Sequence, residues 1–377
     1  MGERGVRMVQ LSIRGGQVKA TAASSAPLQQ GMGPGVEGYR AALAVAIQQA
    51  YHAGGFTGNR VVSSLPVSSM QCKNLRLPVM PADELDSAVE WEAQDRFRMG
   101  KGQCSVQYMH AGQVNQGDEV RQELILIAAK LDQVESHVAA LTDNGLRPVA
   151  IDSVPSALAR LSAMQPEAVD GSEVQVVLDV GESATKVLIA SDGQVRFYKP
   201  IEIGESALDS VLSGAMSISL DEARELRHRI ASTPIDGVEG EETSGELNQS
   251  HKVFEALQPT LSELAREIGL CLRYYGVTFR GARPAQAKLV GGGATAWLAA
   301  ALGESTGLAL GLDEPLGDID VSAVREVIPP GSEGAWAVAA GLSIRNHMKH
   351  FAARAEYHSS EEPSVFADNV QEKGVAA

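Results

Sequence analysis

The chain has 377 residues, 44% of them hydrophobic and 21% charged, which is ordinary for a globular protein large enough for two lobes. A net charge of −15 and a pI near 5.0 argue against a nucleic-acid binder that works by neutralising phosphates. No apolar run reaches the roughly 20 residues a spanning helix needs, and the start of the chain lacks the apolar core of a signal peptide. Cys72, Cys104 and Cys271 have no metal-ligand spacing and read as free thiols of a reducing compartment.

Met8 to Ala20 alternates like a strand around Gly15-Gly16, and a stretch rich in Gly, Ser and Pro follows up to Gly38. A helix is predicted from Gly38 to Ala50, then a short strand from Arg60 to Pro66. Leu75 to Pro81 is extended, because each proline pushes its predecessor out of helical space. Asp83 to Met99 sets Leu85, Val89, Ala93 and Phe97 at intervals of four, one stripe of an amphipathic helix whose first turn is acidic. Leu124 to Ala129 is an apolar strand, Asp132 to Asp143 a helix closed by Asn144-Gly145, Val149 to Asp152 a strand and Pro155 to Leu161 the start of a helix. Gln165 to Gly171 is a linker, which sets the expected lobe boundary.

Val176 to Ile189 reads as a buried strand, a tight turn from Asp179 to Thr185 and a second strand. The second lobe continues from Gly204 to Ile230, with a helix ending in the charged run Asp221 to Arg229. Thr233 to Gln249 is polar and acidic and reads as a loop. A helix from about Pro259 to Tyr275 carries Leu261, Leu264, Ile268, Leu272 and Tyr275 at spacings of three and four. Lys288 to Ala294 again runs from strand into glycine, with a helix starting near Thr295. Strand, helix and strand follow, then a helix from Gly334 to His350 and a polar tail.

The two strand-to-loop elements carry the chemistry. In the first, Asp179 ends an apolar run and suits a magnesium ion held through water, Gly181 admits a phosphate close to the backbone, and Ser183 and Thr185 offer hydroxyls. In the second, Gly291, Gly292 and Gly293 leave room for a flat ligand beside the positive end of the following helix. Taken singly, each is as well read as a hairpin turn or a strand-to-helix connection. Their order and separation favour an actin-like α/β fold with both loops facing one nucleotide.

The resemblance extends further. Residues 63 to 97 (SSLPVSSMQCKNLRLPVMPADELDSAVEWEAQDRF) and 127 to 160 (IAAKLDQVESHVAALTDNGLRPVAIDSVPSALAR) resemble the PilM family, actin-like proteins of type IV pilus assembly. So do the Asp179 loop, the helix ending Arg273-Tyr274-Tyr275, the Gly291 loop and the Ala335–Leu342 helix, over roughly residues 8 to 350. The resemblance implies a two-lobed, ribonuclease H-like ATPase fold, similar to the cell-division protein FtsA, with an inserted α/β subdomain. First-lobe segments would be 1–66 and 145–166, the insertion 67–144, the second lobe 172–342 with a subdomain at 205–284, and 343–377 the closing helix end and tail. It further implies a cytoplasmic ATP-binding protein, with magnesium, held at the inner membrane by the cytoplasmic tail of a PilN-like protein. That tail would meet Leu75, Leu77, Val79, Leu85 and Val89, and homo-oligomers stay open. Asp179, Gly181, Ser183 and Thr185 would be the second phosphate loop, and Gly291 to Gly293 the adenosine loop.

Two stretches depart from the family pattern. Aligning Val18-Lys19 with the end of the first phosphate loop puts Ser12 where an aspartate belongs and Arg14 where a glycine belongs, just before Gly15 and Gly16. Ser12 cannot replace a carboxylate near a dication, so lost hydrolysis is expected, although Arg14 itself suits a phosphate. Gly269 and Leu270 stand where polar groups would reach a ribose, with Arg266 and Glu267 one turn earlier. His347 with His350, and the basic run of Arg345, Lys349 and Arg354, read as surface and packing features of a last helix. A scaffold with weak or no nucleotide turnover comes first among the functions, an active ATPase second, and a small-molecule kinase with Asp152 as base last.

Overall fold

The computed structural model describes residues 1–29, 31–98, 100, 102–164, 174–191, 193–231, 244–281 and 283–345. The expected linker 165–171 and the expected features at His347, Lys349, His350 and Arg354 lie outside them. Strands β1 (Gly5–Arg14) and β2 (Gln17–Pro27) pair antiparallel, with Arg14 opposite Gln17. Gly15 and Gly16 make the turn between them, at φ 57° and 79°, where a Cβ would be strained. Helix α1 (Tyr39–Ala53) buries Leu43, Ala46, Ile47 and Ala50, a stripe at helical spacing, beside Val6 and Ala26 of this hairpin.

Strand β3 (Arg60–Ser64) next departs toward a small sheet with its own core. Strands β4 (Met70–Pro78), β5 (Cys104–Gln116) and β6 (Glu119–Lys130) are antiparallel in the order β4-β6-β5. Helix α2 (Ala82–Phe97) lays the predicted stripe Leu85, Val89, Ala93 and Phe97 on Leu75, Leu77, Leu124 and Leu126. Strand β5 has no counterpart in the sequence reading: its residues are mostly polar, and pairing along β6 defines it. Helix α3 (Leu131–Thr142) then leads to β7 (Arg147–Asp152), which pairs in parallel with β3. Helix α4 (Val154–Ser162) starts at Ser153, whose Oγ accepts the Ser156 N–H at 3.3 Å, an N-cap.

The second lobe is built on β8 (Val174–Val180), β9 (Thr185–Ser191) and β10 (Gln194–Ile201), an antiparallel meander. Helices α5 (Glu205–Met216), α6 (Leu220–Ala231) and α7 (Ser244–Phe279) precede β11 (Gln286–Val290), α8 (Ala296–Thr306) and β12 (Ala309–Leu312). The sheet order is β10-β9-β8-β11-β12, with β11 parallel to both neighbours. Strand β13 (Ile319–Asp320) returns to β2, and α9 (Ala337–Ile344) closes the described chain.

Alternate residues of β8 feed two cores. Val176 and Leu178 join Leu212, Leu257, Leu264 and Leu302 from the helices, while Val177 joins Leu158, Ala337 and Ala340 on the other face. A sheet buried on both faces needs a nearly continuous apolar strand, which is what the sequence shows at 174–180.

Helix α7 corrects the end of the stretch 233–249 read as a loop, since it already runs from Ser244 and carries Pro259 inside it, while 233–243 lie outside the described residues. Proline lacks one helical donor, but Val253, Leu257, Leu261 and Leu264 are buried on either side, and this burial outweighs the lost bond. The helix expected from Gly334 begins instead as a 3-10 turn over Glu333–Trp336. There the Gly334 carbonyl accepts the Gly291 N–H at 2.9 Å.

Candidate functional site

The β8–β9 hairpin and the loop after β11 meet. Register sets Asp179 opposite Lys186 and Val180 opposite Thr185, leaving Gly181 to Ala184 as the turn, closed by the Gly181 N–H on the Ala184 carbonyl at 3.0 Å. Gly291 has φ 99°, and a Cβ there would stand 2.3 Å from the Val180 carbonyl oxygen and 2.5 Å from Asp179 Oδ1. Only glycine fits, because the second loop lies directly on the first. The Gly293 N–H donates to the Val180 carbonyl at 3.1 Å, and Thr295 Oγ1 accepts the Leu298 N–H at 3.2 Å to start α8 as expected.

Most groups offered to a phosphate already have protein partners. Thr185 Oγ1 donates to the Ile203 carbonyl at 2.7 Å, and the Ser183 N–H donates to Glu3 Oε2 at 3.1 Å. Lys186 Nζ lies 2.8 Å from Asp179 Oδ2 but outside the direction of a hydrogen bond, so charge holds the pair. Both side chains are buried. A dication beside Asp179 would share that carboxylate with an ammonium, and like charges so close repel. The residues present therefore do not fit the water-held magnesium expected at Asp179.

Helix α5 packs its first turn on the hairpin. The Glu205 N–H donates to the Gly181 carbonyl and the Ser206 N–H to the Glu182 carbonyl, each at 2.9 Å. Glu205 and Asp209, one turn apart, face Arg227 of α6, with Nη2 2.9 Å from Glu205 Oε2 and Nε 2.7 Å from Asp209 Oδ1. Burial acts to lower the Arg227 pKa, but the Asp209 hydrogen bond and the two carboxylate charges outweigh it and raise it. Arg4 reaches the same cluster, pairing with Glu182 and lying 3.3 Å from Asp209 Oδ2. Burial lowers its pKa against the pull of Glu205 and Asp209.

Sequence reasoning missed Glu3, Arg4, Arg7, Lys186, Glu205, Asp209 and Arg227. The Glu205/Asp209 spacing of four after Gly204, at the start of a helix, was the available signal.

The other expected residues fall elsewhere. Gly15 and Gly16 are exposed, with no atom within 4 Å of a Cβ built on either, and Ser12 and Arg14 flank that open turn. From the N-terminal segment, Glu3 and Arg4 contact the Asp179 loop instead. Leu75, Leu77, Leu85 and Val89 are buried at 2–8% and hold α2 to its sheet, which leaves Val79, at 53%, as the accessible member of that set. Asp152 pairs with Arg160 and lies 3.3 Å from Arg345 Nη1, so it is no ready base for a kinase. Arg266 and Glu267 pair with each other at 2.8 Å, and Glu267 also holds Lys199 at 2.9 Å. Among the described residues no group of His, Cys, Asp and Glu could hold a metal ion, and no helix is long and apolar enough to cross a membrane.

The sequence profile of the family described as "Type IV pilus assembly protein PilM" matches residues 1–347. The chain belongs to the PilM family. Among solved structures, the PilM-PilN type IV pilus biogenesis complex aligns with a TM-score of 0.74 at 21% identity, covering 92% of this chain and 96% of that one. Ethanolamine utilization protein EutJ from Carboxydothermus hydrogenoformans aligns with 0.38 at 15%, over 56% and 60% of the two chains. MreB 5 of Spiroplasma citri bound to AMPPNP gives 0.38 at 13%, over 60% and 67%. No curated protein matches the sequence. PilM membership and the five-strand order of the second lobe make the fold actin-like, as expected.

Proposed function

We propose that this chain is a cytoplasmic scaffold of a type IV pilus or a related secretion or DNA-uptake platform, and that it recruits the cytoplasmic tail of a PilN-like inner-membrane protein. The family match over residues 1–347 carries this reading, supported by the likeness to the PilM-PilN complex along 92% of the chain. The tail is a short segment, apolar at alternate positions around an Asn-Leu-Leu-Pro-like centre and basic, so that the net charge of −15 favours its approach. It adds to the β4-β6-β5 sheet, where β4 pairs with β6 and, among the described residues, with no other strand.

A nucleotide enters the cleft lined by the Asp179 and Gly291 loops, and turnover is absent or very slow. The partners already held by the Thr185 hydroxyl and the Ser183 N–H support this, because donors that would stabilise a moving phosphoryl are engaged. Phosphate release by the purified chain should stay at buffer background with the tail present. The packing of Gly291 on Asp179 favours a second reading, an active ATPase. Sustained turnover that disappears in Asp179→Ala would establish it.

A further inference from the structure

Two cations, one buried and one exposed, stand beside the two loops. Register places Lys186 across from Asp179 on the neighbouring strand, and its Nζ lies 2.9 Å from where a Cβ on Gly181 would stand. The ammonium therefore sits over the hairpin turn, in space that any other residue at 181 would fill. Arg7 approaches from the first lobe: the residue is exposed, and its Nη2 is 3.8 Å from a Cβ built on Gly292. Burial lowers its pKa against the charges of Glu205 and Asp179. Arg7 forms no ion pair among the described residues.

We propose that Lys186 and Arg7 take the place of a divalent cation in this cleft, so that a nucleoside triphosphate binds here without metal. Together they bring two positive charges, the charge of one magnesium ion, to the carboxylate where that ion would sit. Arg7 offers a fork suited to phosphate oxygens, and Lys186 a compact charge beside Asp179. A metal added to the site meets the ammonium first and gains little. The inference rests on reading the cleft as a nucleotide site, and the test separates the two.

The full chain is titrated calorimetrically with ATP in excess magnesium and in excess EDTA. The affinities should agree within about threefold. Lys186→Met should bind about tenfold more weakly in EDTA and recover part of that loss in magnesium, while Lys186→Arg should bind alike in both. Thermal unfolding of each variant checks the fold. A second readout uses manganese: its electron paramagnetic resonance signal should report no ATP-dependent bound ion in the native chain and one in Lys186→Met. Native binding that falls more than about tenfold in EDTA overturns the proposal and leaves the nucleotide site standing. Absence of ATP binding in both buffers overturns both. A Lys186→Met protein with the native metal response removes Lys186 from the role.

Discussion

The cleft and the inserted sheet use their polar groups in opposite ways. In the cleft, Asp179 meets Lys186, Thr185 meets the Ile203 carbonyl, the Ser183 N–H meets Glu3, and Glu205 with Asp209 meets Arg227. In the inserted sheet, β4 pairs on one side only, and Val79, Trp91 and Val120 are exposed at 53%, 69% and 50%. The glycine loops that most resemble a ligand site are thus held chiefly by the protein itself, while β4 stands at an edge of the inserted sheet, the side proposed to take the tail. That contrast suits a scaffold better than an engine.

The largest expected effect breaks the cleft network. Asp209→Ala leaves Arg227, 4% exposed, with one carboxylate instead of two and should cost about 3–5 kcal/mol in chemical denaturation. A loss below about 1 kcal/mol would show that solvent screens the cluster and that the cleft is less closed than described.

At the base of the insertion one buried polar link is the pair of His137 Nε2 and Ser63 Oγ at 2.9 Å, joining α3 to β3. Burial, with the nearby chain amino group, lowers the His137 pKa from 6.5 to about 4. The unfolded chain therefore takes up this proton first. The contribution is fully present above about pH 6.5 and is lost as pH falls towards 4, by roughly 3 kcal/mol. Denaturation midpoints measured across that window should flatten in His137→Gln, and an unchanged slope would assign the acid sensitivity to other groups.

The smallest effect on stability and the sharpest on binding is expected at Val79. Val79→Asp should change stability by no more than about 0.5 kcal/mol, because the side chain is exposed, yet weaken the tail about tenfold or more. Equal affinity in titration would move the interface off this end of β4.

The apolar stripes were legible from sequence because burial follows their spacing: Leu85 to Phe97 and Leu261 to Tyr275 both lie in cores. Residues 75–89 show the limit of that signal. The pattern that marks an amphipathic helix cannot say whether its apolar face awaits a partner or already has one, and here Leu75 and Leu77 cover it. Strands β5 and β10 mix polar and apolar residues without a clean alternation, so they left little local trace although each pairs with its neighbour in the chain, β6 and β9. In the site, Asp179 and Gly291 to Gly293 were found because strand-to-glycine transitions are local. Glu3 and Arg4 lie just before β1 and Arg227 lies in α6, and only the folded chain brings these distant segments together.

The central claim is that this chain receives a membrane protein's tail on an actin-like frame. Calorimetric titration of the full chain with a synthetic tail peptide centred on Asn-Leu-Leu-Pro tests it most directly. Saturable one-to-one binding that persists without nucleotide is the predicted result; heats no greater than dilution, with and without ATP, would contradict it.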